Sequence, residues 1–194
     1  MEIVNINIIG VVASPRREGN TAWAVNRILE GAKECGAEIH CFCFSDLDIG
    51  PCRGCLRCKK GDKGCVVDDD MQTIYGSIAH ADAIILGSPV YMGQMSAQAK
   101  LFTDRLFACS SPRFSPYFKE NGVKKKMVLV FTQGNPDSDK FRTYFNYTRD
   151  MFRLLEFDVT GVHVIAGLRN GPANGRIELH SAMKDIGSSL VSEQ

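Results

Sequence analysis

The chain has 194 residues, a formal net charge of +1 and 44% hydrophobic residues, values typical of one globular domain with a packed core. The near-neutral charge argues against a nucleic acid or an anionic membrane surface as partner. No apolar run approaches the roughly 20 residues that span a bilayer, and the first residues lack the basic start of a signal peptide. We therefore expect a cytoplasmic protein, in which eight cysteines indicate metal binding, redox chemistry or free thiols rather than a disulfide framework.

Strand-like and helix-like segments alternate along the chain. The apolar runs that predict strands are Ile3 to Val12, Ala37 to Phe44, Ala83 to Gly87, Met127 to Thr132 and Asp158 to Ala166. The segments with helical spacing of apolar residues are 20–35, Asp68 to Ala81, Gln94 to Ala108, Asp139 to Leu155 and Arg176 to Val191. This alternation predicts a parallel sheet with helices on both faces, and no linker or repeat divides residues 1–194 into two domains.

The segment Gly10 to Thr21 joins the first predicted strand to the first predicted helix. Its sequence, G-V-V-A-S-P-R-R-E-G-N-T, combines hydroxyl, amide and guanidinium donors at a helix N-terminus, where unpaired N–H groups and the helix dipole favour an anion. Such a pocket suits a terminal phosphate monoester. The chain contains no G-x-G-x-x-G and no G-x-x-x-x-G-K-[ST] motif, which argues against a dinucleotide-binding or Walker loop. An ordinary strand–helix turn capped by Asn20 or Thr21 is the alternative.

Three polar loops follow the first, third and fourth predicted strands. Ligands of doubly wound sheets bind beyond the carboxyl ends of the strands, so we expect these loops to converge. The second loop, Ser88 to Met95, offers a flat, polarisable surface with backbone N–H groups, and the third, Thr132 to Pro136, is polar and contains glycine. A phosphate site at one loop and a planar-ring site at the other two indicate a mononucleotide of the flavin kind. Simple packing is the alternative for Tyr91 and Met92 taken singly.

Two of these motifs resemble a known family. The loop S-P-R-x-x-G-N-T and the segment S-P-V-Y-x-G-x-M-S-A-Q-A-K-x-F-x-D-R, from Ser88 to Arg105, are similar to the NAD(P)H-dependent FMN reductase group of flavodoxin-like proteins, and the resemblance runs from residue 3 to about residue 165. It implies an α/β flavodoxin-like fold with a doubly wound five-stranded parallel sheet of order 2-1-3-4-5 in three αβα layers. It also implies bound FMN, and homodimers or homotetramers in which the flavin ring lies near a subunit interface.

The resemblance also implies which residues bind FMN. The phosphate would be held by Ser14, Arg16, Asn20 and Thr21, and the sequence does not show whether Arg16 or the adjacent Arg17 faces the phosphate. The residues implied to contact the ring are Pro89, Val90, Tyr91, Met92, Gly93, Thr132, Gln133 and Gly134. No catalytic side chain is expected, because the flavin carries the chemistry and the protein tunes it.

Four cysteines form a compact pattern in a glycine-containing loop, residues 51–65. Cys52, Cys55, Cys58 and Cys65 read C-x2-C-x2-C-x6-C, a spacing that lets neighbouring thiolates reach different irons of one cluster. The pattern is similar to that of the iron–sulfur flavoproteins, a branch of the same group, in which it binds a [4Fe–4S] cluster that exchanges electrons with the flavin. Zinc and free thiols are the alternatives. The cysteines without this spacing are expected to be small buried hydrophobes, and they are Cys35, Cys41, Cys43 and Cys109.

The favoured interpretation is an FMN-dependent electron-transfer oxidoreductase with a [4Fe–4S] cluster, reduced by a ferredoxin-like donor and passing electrons to a small acceptor such as oxygen, peroxide or a quinone. The second hypothesis is a cluster-free NAD(P)H-dependent FMN or quinone reductase. The third is a flavin- or metal-binding redox sensor without turnover. Locally, Asp68 to Asp70 are expected to cap a helix rather than bind a cation, and the role of the irregular loop 109–122, with Phe114, Tyr117 and Phe118, is left open between covering the substrate and contacting a second subunit.

Overall fold

The structure, a computed structural model, describes residues 6–60, 64–109 and 124–192. The start of the first predicted strand, residues 3–5, and the aromatic residues Phe114, Tyr117 and Phe118 lie outside the described residues. Within the described ranges, no helix combines the length and the apolar character that crossing a membrane requires.

Six strands and five α-helices alternate along the described chain. The strands are β1 (Asn7–Val12), β2 (Glu38–Cys43), β3 (Ala83–Tyr91), β4 (Gln94–Met95), β5 (Lys126–Thr132) and β6 (Asp158–Ile165). The helices are α1 (Asn20–Glu34), α2 (Met71–His80), α3 (Ala97–Arg105), α4 (Arg142–Leu154) and α5 (Ile177–Ser192).

The sheet order is β2-β1-β3-β5-β6, and every neighbouring pair in this order is parallel. The short β4 pairs with β3 alone and antiparallel, as the second arm of a hairpin. Counting only the parallel strands, the order is the expected 2-1-3-4-5, so the prediction of a flavodoxin-like doubly wound sheet is confirmed. The chain leaves β1 first toward β2 and later toward β3, which places the switch in strand order beside β1, where such folds bind ligands.

Two apolar cores cover the two faces of the sheet. On one face α1 and α5 pack against the sheet through a core that includes Val25, Ile28 and Met183. On the other face α2, α3 and α4 share a core that includes Ile74 and Phe102. The strands read as nearly continuous apolar runs because they are buried from both sides, and the result is the three-layer αβα arrangement.

The structure corrects the bounds of two predicted elements. The predicted strand Ala83 to Gly87 continues to Tyr91, because its extension stays paired with β5 as far as Thr132. The predicted helix Gln94 to Ala108 is shorter, because its first residues form β4 and turn the chain back along β3. Helix α3 therefore begins at Ala97.

Helix α1 lies unusually close to the sheet. A Cβ atom at Gly87 would lie 2.4 Å from Cγ2 of Val25, and one at Gly10 would lie 2.7 Å from Cδ1 of Leu29. Only glycine fits at these two strand positions without shifting the side chains of α1 that pack on them. The close approach brings the N-terminus of α1 to the carboxyl ends of β1 and β3.

Candidate functional site

A cleft at the carboxyl edge of the sheet brings the three predicted loops together. Its lining contains every residue implied to bind FMN except Met92 and Gly93. The lining residues are Ser14, Arg16, Gly19, Asn20, Thr21, Pro89, Val90, Tyr91, Thr132, Gln133, Gly134 and Leu168. The convergence expected from the topology is therefore present in the folded chain.

The N-terminus of α1 forms one end of this cleft. Gly19 precedes the helix in an extended conformation, and the first helical bond runs from the N–H of Trp23 to the Gly19 carbonyl at 2.9 Å. Among the described residues no side chain caps the helix, so the alternative of a turn capped by Asn20 or Thr21 is not what the structure shows. The Asn20 side-chain oxygen instead accepts the N–H of Ala173 at 2.7 Å. The first N–H groups of α1 thus remain available to an anion.

The structure distinguishes the two adjacent arginines. Arg17 forms an ion pair with Asp46, with Nη2 3.4 Å from Oδ2, and lines a neighbouring groove. Arg16 lines the cleft itself. Its backbone N–H donates to Oγ of the buried Ser14 at 3.1 Å, which leaves the Ser14 O–H to donate elsewhere. Arg16 is consequently the guanidinium placed to meet a phosphate in this cleft.

The floor of the cleft joins the first and third loops. The hydroxyls of Thr21 and Thr132, both buried, share a hydrogen bond of 2.7 Å. Beside them the Gln133 side chain donates from Nε2 to the carbonyl of Asp137 at 2.7 Å. Its Oε1 is buried, and within the described part of the chain it has no hydrogen-bond partner. Such an acceptor costs about 1–3 kcal/mol, so a ligand N–H or O–H at this point would be bound favourably.

Met92 and Gly93 lie at the tip of the β3–β4 hairpin, outside the cleft lining. Both adopt left-handed backbone conformations, with φ of 50° and 79°. The Met92 side chain is completely exposed, and Tyr91 next to it is 44% exposed. A methionine at positive φ is strained, and strain of this kind concentrates at functional segments. The tip therefore forms an exposed apolar edge beside the cleft and is not part of its wall.

The cysteine loop is placed near the start of α2. Cys52 and Cys55 are exposed, whereas Cys58 and Cys65 are half-buried against the core. Burial raises the pKa of the Cys58 thiol, Lys59 opposes this effect, and the thiols of Cys65 and Cys52 add to it.

The four thiols suit a soft metal centre by their chemistry, but the structure does not assemble them into one. In the described ranges, which leave out residues 61–63 of this loop, no three Cys, His, Asp or Glu side chains are arranged to hold a metal ion. Among the other cysteines, the prediction of burial is confirmed for Cys109. It is wrong for Cys35 and Cys41, which are exposed, and Cys43 is only half-buried. Cys35 follows the end of α1, and Cys41 lies on the edge strand β2, which has a neighbour on one side only.

Residues 6–155 match the family model described as NADPH-dependent FMN reductase. The chain belongs to this family. The match covers the phosphate loop, the hairpin and the third cleft loop, so the three segments that line the cleft are all family segments.

Curated proteins named iron–sulfur flavoproteins are similar to about half of this chain. An iron–sulfur flavoprotein of Methanocaldococcus jannaschii is 43% identical over 100 residues, 52% of this chain and 51% of that protein. An iron–sulfur flavoprotein of Methanosarcina thermophila is 41% identical over 100 residues, 52% of each chain. The aligned region thus spans about half the length of the curated relatives it matches. The predicted family is confirmed, and these names agree with the predicted branch.

Solved structures agree with the fold. An NAD(P)H:quinone oxidoreductase from Methanothermobacter marburgensis superposes with a TM-score of 0.73 at 16% identity, covering 96% of this chain and all of that one (100%). An FMN-dependent NADH-azoreductase from Bacillus anthracis, solved with FMN, has a TM-score of 0.65 at 15% identity, covering 97% of this chain and 100% of that one. At such identities these likenesses establish the flavodoxin-like architecture.

In this family member, sequence reasoning missed two residues that complete the cleft. Leu168 lines it from the loop after β6, and its N–H donates to the Gln133 carbonyl at 3.1 Å. Leu168 could have been predicted as a site residue from its position after the last parallel strand, because that loop also lies at the carboxyl edge of the sheet. Gly19 lines the cleft as the residue before α1.

Proposed function

We propose that the chain is an FMN-dependent oxidoreductase whose flavin binds in the cleft at the carboxyl edge of the sheet. Family membership supports this proposal. The observation that carries it is the buried Gln133 oxygen, which has no partner among the described residues, in a cleft where no described side chain caps the N-terminus of α1. FMN supplies hydride and electron chemistry when it is bound, and the protein supplies binding and orientation.

Each group in the cleft has a role in this proposal. The Arg16 guanidinium, the Ser14 and Thr21 hydroxyls and the first N–H groups of α1 hold the phosphate. Asn20 contributes its amide N–H₂, since its oxygen is already engaged. Residues 89–91 and 132–134 border the flavin ring, with Met92 and Gly93 at its outer edge, and Gln133 accepts a hydrogen bond from the ring. A titration of flavin-free protein with FMN, followed by quenching of flavin fluorescence, tests this assignment.

We propose further that Cys52, Cys55, Cys58 and Cys65 hold a [4Fe–4S] cluster, which supplies single-electron chemistry when bound. The spacing of the four cysteines supports this, and so do the names of the curated relatives. The structure leaves the four thiols unassembled, so the loop would close around the cluster. Zinc and free thiols are the competing outcomes.

The test is elemental analysis of protein purified without oxygen. A cluster predicts about four irons and four sulfides per FMN, with a broad absorption shoulder beside the flavin bands. Zinc without sulfide would show that the four cysteines form a zinc site instead of an iron–sulfur cluster. Flavin alone, bleached quickly by NAD(P)H, would support the cluster-free reductase, and flavin that no donor reduces at a useful rate would support a redox sensor.

The surface around the cysteines suits an acidic electron-carrier protein, such as a ferredoxin-like donor, and NAD(P)H is the other candidate source of electrons. Arg53, Arg57, Lys59 and Lys60 lie within one short stretch of this loop, in a chain whose overall charge is only +1. Opposite charge speeds association, and salt screens it. Reduction by such a carrier should therefore slow as ionic strength rises, whereas a salt-independent and fast reduction by NADPH would contradict this choice. The electron acceptor would be a small molecule such as a quinone.

We also propose a homodimer or homotetramer in which the hairpin tip contacts a second copy. The completely exposed Met92 and the partly exposed Tyr91 support this proposal, because together they form an apolar edge beside the cleft. Light scattering of the parent protein and of Met92→Glu tests it. A parent that is monomeric would exclude the proposed assembly.

A further inference from the structure

The cysteine loop is fastened at both of its ends to the start of α2. Before the loop, the Gly50 N–H donates to Oδ2 of Asp69 at 3.0 Å, and the Gly50 carbonyl accepts from Nη1 of Arg105 at 2.9 Å. After the loop, Nε2 of Gln72 donates to the carbonyls of Cys65 at 3.0 Å and Val67 at 2.5 Å. These bonds belong to no helix or strand, so their effect is to place the loop.

The anchor at Gly50 is a buried ion pair. Nη1 and Nη2 of Arg105 lie 2.5 Å and 3.0 Å from the two carboxylate oxygens of Asp69, and the two side chains are 0% and 9% exposed. The Tyr75 hydroxyl donates to the Arg105 carbonyl at 2.8 Å. A buried ion pair rarely stabilises a fold more than apolar residues of the same volume would. Both partners of this pair also bond the backbone of Gly50, so the pair holds the start of the cysteine loop in place.

The other end of α3 is attached to the cleft. The Ser96 hydroxyl donates to the Ala13 carbonyl at 2.6 Å and accepts the N–H of Ala99 at 3.1 Å, which caps the helix. The Ser96 N–H donates to Oγ of Ser88 at 3.0 Å. Ala13 directly follows β1, and Ser88 is a buried residue of β3 next to Pro89 of the cleft lining. The nine residues of α3 rise by about 13–14 Å, at about 1.5 Å per residue.

We propose that Arg105 and Asp69 are positioning residues that hold the cysteine loop at a set distance from the flavin cleft, with α3 as the rigid spacer. The inference rests on the proposed function, in which the cleft and the loop hold two redox groups. Arg105 ends the spacer, Asp69 fixes the loop to it, and Ser96 fixes its beginning to the cleft.

The test compares two variants of this anchor, Asp69→Asn and Arg105→Lys, with a matched control on the same helix. The control is Asp104→Asn, which removes an exposed ion pair with Lys100. In the full flavin-containing protein, both anchor variants should keep the parent FMN content and retain several-fold less iron than the parent. In iron-free protein, maleimide labelling of the half-buried Cys58, located by mass spectrometry, should become several-fold faster. The control should match the parent in every measurement.

Three results would overturn the proposal. One is unchanged Cys58 labelling in both anchor variants. Another is a parallel loss of FMN, iron and thermal midpoint, which would show a general folding role. The last is an equal effect of the exposed control. Arg105→Lys keeps a positive charge beside Asp69, so it retains a folded chain for these measurements. A parent that never retains iron would refute the proposed cluster, whereas the labelling comparison would still decide whether the anchor positions the loop.

Discussion

Replacing Arg16 by methionine is expected to weaken FMN binding about tenfold and to leave riboflavin binding unchanged. Arg16 is the guanidinium that lines the cleft, and methionine retains the apolar part of its stem. Hydrogen bonds to a charged group contribute about 1.5–3 kcal/mol. Arg16 is exposed in the unliganded chain, so the lower value applies, and about 1.4 kcal/mol corresponds to a factor of ten. Riboflavin lacks the phosphate, so its dissociation constant should not change.

The assay is fluorescence titration of flavin-free protein with FMN and with riboflavin. The matched control is Arg17→Met, which removes a neighbouring and equally charged side chain paired with Asp46 on the surface. A surface ion pair contributes little, so this control should shift the FMN dissociation constant by no more than about twofold. The reasoning is refuted if Arg17→Met costs more than Arg16→Met, or if Arg16→Met weakens riboflavin binding as much as FMN binding.

Two further predictions concern stability. Gly187→Ala should lower the free energy of unfolding, measured in urea, by about 1–3 kcal/mol, because its Cβ would lie 1.9 Å from the carbonyl oxygen of Ile28. The control Gly76→Ala, with no atom of the described chain within 4 Å, should stabilise α2 by about 0.5–1 kcal/mol. Equal effects of the two variants would contradict the close contact of α1 with α5 at Gly187. Burial alone would raise the pKa of Asp69, but the Arg105 guanidinium and two backbone N–H groups hold this pKa below its ordinary value of 3.8. The Asp69 carboxylate therefore stabilises the fold above pH 3.8, and this stabilisation is lost as the pH falls further. Asp69→Asn should lack that acid-induced component in unfolding titrations, and an identical acid limb in both proteins would show that the pair is not the cause.

Much of the fold follows from local pattern. The apolar runs and helical spacings are local properties of the chain, and their alternation restricts the topology to a doubly wound parallel sheet. The hairpin at Gln94 was not predictable in the same way, because two residues pair there only when β3 extends beside them. The exposure of Cys41 depends likewise on β2 being an edge strand, which is a property of the whole sheet.

The candidate site divides along the same line. The sequence alone shows the residue types and spacings of the cleft loops and of the cysteine motif. The chemistry of a hydroxyl, a guanidinium group or a thiol is a property of the residue itself, so it could be predicted without the fold. Tertiary structure decided which of two adjacent arginines lines the cleft, because Arg17 pairs with Asp46. It also buried an oxygen of Gln133 that has no partner in the part of the chain that the structure describes. It also joined Asp69 to Arg105 across 36 residues. Partnerships of this kind depend on which side chains the folded chain brings within hydrogen-bond distance, and no local pattern records that.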